Sequence, residues 1–363
     1  MKILIVGFTK LKYMPYKNFY LDNIDHKVND IHLLYWNRDC KQEDLSQYNS
    51  LTLHEFLCYQ EDEVPKKFKL HSFLKYRTYV KSVIQKNNYD FIIILHTLPG
   101  ILIIDDLLKR YSGKYILDYR DSTYEEFLLF KKMVHLMVRN SSVTFVSSDA
   151  FRKYLPSDKR IYTSHNILID SLHHREDKDK KGIPSEKIRM AFWGFIRHEE
   201  INKKIIAQVT KDKRFELHYY GREQETALNL KRYAKEIMAD NVYFHGEYKP
   251  EDRYEFINNT DVIHNIYNDN NMMLAMGNKF YDGIIFRLPQ LCMKGSFMGE
   301  RVEKFQVGLM CDPREEFFLE NVYKYYSNLD RNAFNNNCDI ALDSVLKEYQ
   351  YGVNIVKNIG KNV

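Results

Sequence analysis

Glycine and proline are scarce, with 14 and 8 in 363 residues, which excludes a disordered or linker-dominated chain. Glycine-dependent phosphate loops are missing too: G-x-x-x-x-G-K-[ST] occurs nowhere, so there is no P-loop. The first apolar run ends in Gly7-Phe8-Thr9-Lys10 rather than G-x-G-x-x-G, and no acidic residue follows a second strand at the ribose position. A classical nicotinamide site is therefore not expected. The five cysteines (Cys40, Cys58, Cys292, Cys311, Cys338) are odd in number and scattered, with no C-x-x-C and no histidine at zinc-ligand spacing. This pattern fits a reducing compartment. The longest apolar stretch, Phe91 to Ile104, is broken by His96, Pro99 and Gly100 and falls short of the roughly 18–20 residues that span a bilayer. The opening MKILIVGFTK has too short an apolar core for a signal peptide and reads as a strand.

What is present points to two domains, because 363 residues exceed the roughly 100–200 typical of one. Hydrophobic residues at 44% and charged residues at 28% allow each domain its own core. The 28 Tyr and 22 Phe suit sugar stacking and interfacial surfaces, and equally suit the composition of an AT-rich genome. Charge is uneven. Residues 1–180 carry 28 Lys and Arg against 23 Asp and Glu, so the net +5 of the chain lies wholly in its first half.

Short β-rich runs alternate with helical stretches in two series, the pattern of parallel sheets built from βαβ units. The first series is 2–7, 31–36, 91–96, 114–119, 143–148 and 160–165; the second is 188–194, 215–221, 241–246, 261–267, 288–293 and 307–311. Between them, 171–187 is dense in charge and contains Gly182 and Pro184, so it reads as an exposed linker. The predicted division is a first domain over 1–170, a linker over 171–187, a second domain over 188–335 and a terminal helix over 336–363 that crosses back to the first domain. Ligands of doubly wound sheets sit beyond the carboxyl ends of the strands, so two such domains facing one another predict a deep cleft.

Several strand ends carry residues suited to phosphate. Gly194 and Arg197 follow a strand, with Lys203 and Lys204 a turn or two later, and Tyr220-Gly221-Arg222 repeats the arrangement. A helix after Gly246 is predicted to be capped by Pro250 and Glu251. In MGNKFYDGIIFRLPQL (276–291), Gly277, Asn278 and Lys279 are placed to start a helix whose free N–H groups and lysine face a phosphate, with Asp282 one turn on to accept from hydroxyls. The same residues also describe an ordinary capped helix with solvated charges.

This order of strand-end glycines, followed by Asn-Lys-x-Tyr-Asp and a Leu-Pro strand start, resembles the donor domain of family-4-like bacterial glycosyltransferases of the GT-B architecture. Leu117-Asp118-Tyr119-Arg120-Asp121, Val146-Ser147-Ser148 and Ser164-His165-Asn166-Ile167 are similar to turns of that family's first domain, and the resemblance covers roughly 1–330. It implies two doubly wound Rossmann-like domains and transfer of a sugar from a nucleotide-sugar to a glycan or lipid-linked oligosaccharide in surface-polysaccharide synthesis, capsule or O-antigen among them. It further implies a hexosyltransferase that retains configuration and uses no metal or bound cofactor. Gly194, Arg197, Lys203, Lys204 and Gly221 then address the donor diphosphate, Asn278 and Lys279 the phosphate or sugar, and Asp282 the ribose. Asp118, Arg120, Asp121 and His96 become the catalytic candidates, with Asp121, Asp118 or His96 as the base if the enzyme inverts. Leu274 stands where the family has the first acid of its E-x7-E pair, and the glycine-rich loop after the first strand is reduced to Gly7. The only D-x-D, Asp177-Lys178-Asp179, falls in the predicted linker.

Two acid-free basic segments predict contact with an anionic membrane or a polyprenyl-diphosphate acceptor. One is 66–81, with Lys66, Lys67, Lys69, Lys75, Arg77 and Lys81; the other is 127–140. A cytoplasmic chain, peripheral at the inner face of a membrane, follows from these. No nucleic-acid motif appears. A nucleotide-sugar epimerase of the same fold and a non-catalytic nucleotide-sugar-binding subunit are the rival readings.

Overall fold

The computed structural model describes residues 1–60, 66–180, 186–249, 252–269 and 272–359, without the side chains of 66–68 and 176–180. The chain forms two units, Met1–His165 with Lys347–Val363, and Asn166–Leu346.

In the first unit the elements run β1 (Lys2–Val6), α1 (Asn18–Leu21), β2 (Asp30–Asn37), β3 (Thr52–Leu57), α2 (Lys66–Asn87), β4 (Phe91–Leu95), α3 (Thr97–Leu102) and α4 (Ile104–Lys109). They continue with β5 (Tyr115–Tyr119), α5 (Leu128–Asn140), β6 (Val143–Val146) and β7 (Ile161–Thr163). All seven strands are parallel, in the order β3-β2-β1-β4-β5-β6-β7. Strand β4, Phe-Ile-Ile-Ile-Leu, is buried at all five positions, as a central strand covered on both faces must be. The sequence-predicted series lacked β3. Its Thr-Leu-His-Glu-Phe-Leu pairs with β2 alone and buries only Phe56, so it has no continuous apolar run to announce it.

The second unit comprises β8 (Ile188–Trp193), α6 (Glu199–Lys211), β9 (Phe215–Tyr220), α7 (Glu225–Glu236), β10 (Val242–Gly246), α8 (Arg253–Ile257) and β11 (Val262–Asn265). After these come α9 (Asn278–Ile285), β12 (Gln290–Met293), α10 (Phe297–Phe305), β13 (Gly308–Cys311), α11 (Phe318–Ser327) and α12 (Arg331–Lys357). Six parallel strands lie in the order β10-β9-β8-β11-β12-β13. Each sheet thus reverses direction beside its first strand, between β1 and β4 and between β8 and β11. A doubly wound sheet opens its ligand crevice at that reversal.

The stretch predicted as an exposed linker is largely a 3-10 helix, Ile169–Lys180, fixed to the second unit. Buried Ser171 accepts from Arg253, and Arg175 donates to Asp339 and to the Ile285 carbonyl, 3.2 Å. Burying Arg253 requires such partners, and this charged segment supplies them. Gly182 and Pro184 lie outside the described residues, as do Pro250 and Glu251. Helix α12 begins at Arg331, earlier than predicted, and the division between units falls inside it, between Leu346 and Lys347. Its last turns bury Val353 and Val356 with Phe19, Tyr20 and Phe145 of the first unit, each such side chain worth about 1.5–3 kcal/mol. Gly352 allows that approach, since a Cβ there would lie 3.0 Å from the Phe19 ring.

Candidate active site

At the reversal of the second sheet, β8 runs out into Gly194, with φ +118°. Its N–H donates to the Tyr220 carbonyl, 2.9 Å, and the next strand end repeats the step, Gly221 N–H donating to the Gly246 carbonyl, 2.8 Å. The two glycines touch. A Cβ on Gly221 would fall 1.7 Å from the Gly194 carbonyl oxygen, so no other residue fits there without moving β8.

Lys279, in the first turn of α9, reaches this point. Its Nζ donates to the Tyr267 hydroxyl just past β11, 2.6 Å, sits 4.3 Å from the centre of the Phe192 ring, and lies 3.5 Å from where a Gly194 Cβ would be. The side chain is half-buried and, among the described residues, has no carboxylate within ion-pair distance. Burial, with the Arg197 charge adding to it and Asp282 opposing, pushes its pKa down to about 7. Asn278 stands exposed beside it, and the first N–H groups of α9 are left open by helix geometry.

Arg197 is exposed and lies over the Phe195 ring at 5.3 Å, with Arg222 at 5.0 Å from the same ring. The turn that carries it is pinned by Asn202 of α6. The Asn202 amide donates to the carbonyls of Arg197 and His198, 2.9 and 3.0 Å, while its oxygen accepts from Tyr219, 2.8 Å, and lies 3.0 Å from His264 Nε2. His264 is buried and its pKa is pushed down to about 3, by burial first and then by the charges of Lys279 and His198, so it stays neutral. His198 adopts φ +65° and places Nδ1 3.4 Å from Asp269. Its Nε2 is buried and has no hydrogen-bond partner among the described residues. Burial, aided by the Arg197 and Lys279 charges against that of Asp269, lowers its pKa.

Two of the residues predicted to bind donor are engaged elsewhere. Asp282 is only 4% exposed; it accepts from Trp193 Nε1, 3.1 Å, and lies 3.7 Å from Arg253, an ion pair inside the unit rather than an open ribose ligand. The cause is the helix: every residue from Phe280 to Ile285 is buried, so a carboxylate one turn in is carried into the core. Lys203 pairs with Glu199 one turn earlier on α6, 2.6 Å, and Lys204 points to solvent.

The first unit holds the remaining candidates. His96 follows β4 at φ +81° and ψ 155°, a region that glycine occupies. Its Nδ1 accepts from Leu98 N–H, 3.4 Å, which leaves the proton on Nε2, 3.9 Å from Asp121. Burial lowers its pKa against the pull of Asp121, so the neutral ring offers an N–H and not a lone pair. Asp118 and Arg120 are a buried ion pair, 0% and 4% exposed, 2.7 Å apart. Burial opposes the Arg120 charge, but Asp118 outweighs it and raises the guanidinium pKa. Arg120 also donates to the Ser164 carbonyl and hydroxyl, 3.4 and 3.2 Å. These two residues therefore brace β5 as a buried pair, with Asp118 Oδ1 buried and without a hydrogen-bond partner among the described residues. Gly7 is enclosed, its carbonyl accepting from Tyr76, 2.6 Å, and the space over its Cα filled by Met14.

Sequence reasoning missed His198, Tyr267 and Asn202. Asn202 is four residues from His198, the spacing of one helical turn, and that was the available signal; the approach of Tyr267 to Lys279 has none.

No protein-family model matches the chain, and no curated protein matches its sequence. Solved structures do match. Sucrose-phosphate synthase from Thermosynechococcus elongatus aligns over 100% of this chain and 98% of its own, with TM-score 0.72 and 10% identity. Anabaena HepE in complex with UDP aligns over 99% and 100%, with TM-score 0.70 and 15% identity. UDP-GlcNAc 2-epimerase from Neisseria meningitidis, bound to UDP-GlcNAc, aligns over 96% and 100%, with TM-score 0.61 and 12% identity. At such identities the likeness is one of fold: two Rossmann-like α/β domains, as in GT-B glycosyltransferases.

Proposed function

We propose that the chain is a glycosyltransferase that takes a sugar from a nucleotide-sugar donor, and that the β8–β11 reversal holds the donor's diphosphate. One observation carries the reading: Lys279 is a half-buried lysine with aromatic and hydroxyl neighbours and, among the described residues, no carboxylate at ion-pair distance. A diphosphate supplies the missing charge. Arg197 and the open N–H groups at the start of α9 add to the same field, and Gly194 leaves room for a phosphate oxygen. That HepE was solved with UDP and the epimerase with UDP-GlcNAc supports a nucleotide-sugar as the ligand class.

In the transfer, the bond between the anomeric carbon and the diphosphate oxygen breaks and a bond to an acceptor oxygen forms. Lys279 and Arg197 stabilise the negative charge that grows on the leaving diphosphate. Metal-independent transfer with retention suits such a site, the departing phosphate taking the acceptor proton. His198, with a free Nε2, accepts from a donor hydroxyl. In the first unit His96 offers an N–H and Asp121 a carboxylate 3.9 Å from it, groups suited to the hydroxyls of an acceptor such as a glycan or lipid-linked oligosaccharide, and Asp121 is a candidate base if configuration inverts.

The test is a thermal-shift and calorimetric screen against UDP, GDP, CDP, TDP, ADP and NAD, followed by transfer from the matching labelled nucleotide-sugar. Stabilisation by one nucleoside diphosphate supports the reading and identifies the base. Stabilisation by NAD alone overturns it, and conversion of the donor without acceptor assigns the epimerase reaction of the Neisseria neighbour instead.

A further inference from the structure

The two basic segments singled out in the sequence differ in the folded chain. In α2, Arg77 donates to Asp105, 3.0 Å, and Lys81 pairs with Asp106, 3.0 Å, so these two cations are compensated and tie the helix to α4. Lys75 is exposed and Lys69 half-buried, whereas the side chains of Lys66 and Lys67 lie outside the described residues. Helix α5 is another matter. It buries Phe130, Val134, Met137 and Val138 against the unit, so it is firmly seated. Its outward side and entry carry Phe127, Leu128 and Leu129, exposed by 65%, 76% and 72%, with Leu136 two turns on at 44%. Three consecutive large apolar side chains this exposed are a patch, not scatter.

Around the patch stand Lys131, Lys132 and Arg139, and 127–140 contains no acid. Among the described residues neither lysine is ion-paired. Glu126, just before Phe127, is the adjoining exposed acid, while Glu125 is buried and accepts from Thr123 N–H. No helix among the described residues is long and apolar enough to cross a membrane.

We propose that the start and outer face of α5 dock the first unit on an anionic lipid bilayer, with Phe127, Leu128 and Leu129 entering below the headgroups and Lys131, Lys132 and Arg139 among the lipid phosphates. The charge pattern selects a lipid surface over a protein partner. A protein surface presents discrete acids to discrete cations, whereas an apolar wedge ringed by one sign of charge fits a leaflet that is apolar inside and negative at its face. This inference stands apart from the donor site and does not rest on it.

The experiment is co-sedimentation of the full chain with vesicles of phosphatidylcholine containing about one-third phosphatidylglycerol, against phosphatidylcholine alone, at low and high salt. The wild type binds the anionic vesicles and is released by salt. Leu128→Glu with Leu129→Glu lowers partitioning about a hundredfold, and Lys131→Gln with Lys132→Gln lowers it about tenfold. Leu128, Leu129 and Lys132 are exposed and Lys131 is only partly covered, so thermal melts and nucleoside-diphosphate binding stay as in wild type. Leu70→Glu with Leu74→Glu on α2 leaves vesicle binding unchanged. The proposal is overturned if the wild type ignores the vesicles, if the α2 and α5 variants lose binding equally, or if the α5 variants instead turn a dimer into a monomer.

Discussion

Replacing Lys279 with methionine separates folding from function. In the folded chain the lysine's pKa falls from 10.5 to about 7, a difference worth roughly 5 kcal/mol at most. The side chain is half-buried, and the substitution also removes the bond to Tyr267, worth about 1 kcal/mol. The expected net gain for Lys279→Met is therefore about 1–2 kcal/mol near pH 6. Its pH dependence follows from linkage. A cation whose folded pKa is depressed costs stability in full below the folded value; the cost shrinks as pH rises from about 7 towards 10.5 and is gone above it. Urea denaturation at pH 6, 7.5 and 9 should show the advantage of the variant shrinking with pH. The same variant should lose nucleoside-diphosphate binding by at least about a hundredfold, because a charge-assisted contact to phosphate is worth about 3 kcal/mol. In the wild type, bound diphosphate restores the lysine's charge, so binding takes up a proton above pH 7 and weakens as pH rises, which calorimetry in buffers of different ionisation enthalpy reads directly. A Lys279→Met protein that is less stable at pH 6, or that binds the nucleotide unchanged, would refute the reasoning.

Gly221→Ala should cost more than about 3 kcal/mol, since its Cβ would overlap the Gly194 carbonyl oxygen; a melt within a degree or two of wild type would show that the strand ends yield. Arg120→Leu leaves Asp118 as an unpaired buried charge and should cost about 3–5 kcal/mol in chemical denaturation, whereas a stable but inactive variant would restore the pair to catalysis. His96→Gly relieves the φ +81° backbone and should raise stability by about 1 kcal/mol while transfer falls sharply; a drop in both would mark His96 as a packing residue. Asn202→Ala frees the turn bearing Arg197 and His198, so nucleotide affinity and melting temperature should fall together, and affinity alone remaining intact would separate that turn from the donor site.

Among the described residues, twelve of the thirteen strands were legible as apolar or β-rich runs, most of them because a strand covered on both faces must carry such a run. Edge strand β3 was not, because its Thr-Leu-His-Glu-Phe-Leu interleaves polar residues and buries Phe56 alone. The helix from Gly277 and its lysine were legible for a similarly local reason: glycine, asparagine and lysine at a helix start follow from capping and dipole effects within one turn.

The sequence by itself determined the two doubly wound units and the strand ends at which ligands gather, since both depend on periodicity and chain order. It could not rank the charged residues along those ends. Lys279 and Asp282 are three residues apart on one helix, yet Lys279 meets Tyr267 and Phe192 with no ion-paired acid among the described residues, while Asp282 sinks to Trp193 and Arg253. Arg77 in one basic segment finds Asp105, whereas Lys131 and Lys132 in the other stay unpaired among the described residues. Whether a charge is compensated depends on neighbours brought together from distant parts of the chain, and only the tertiary structure decides that.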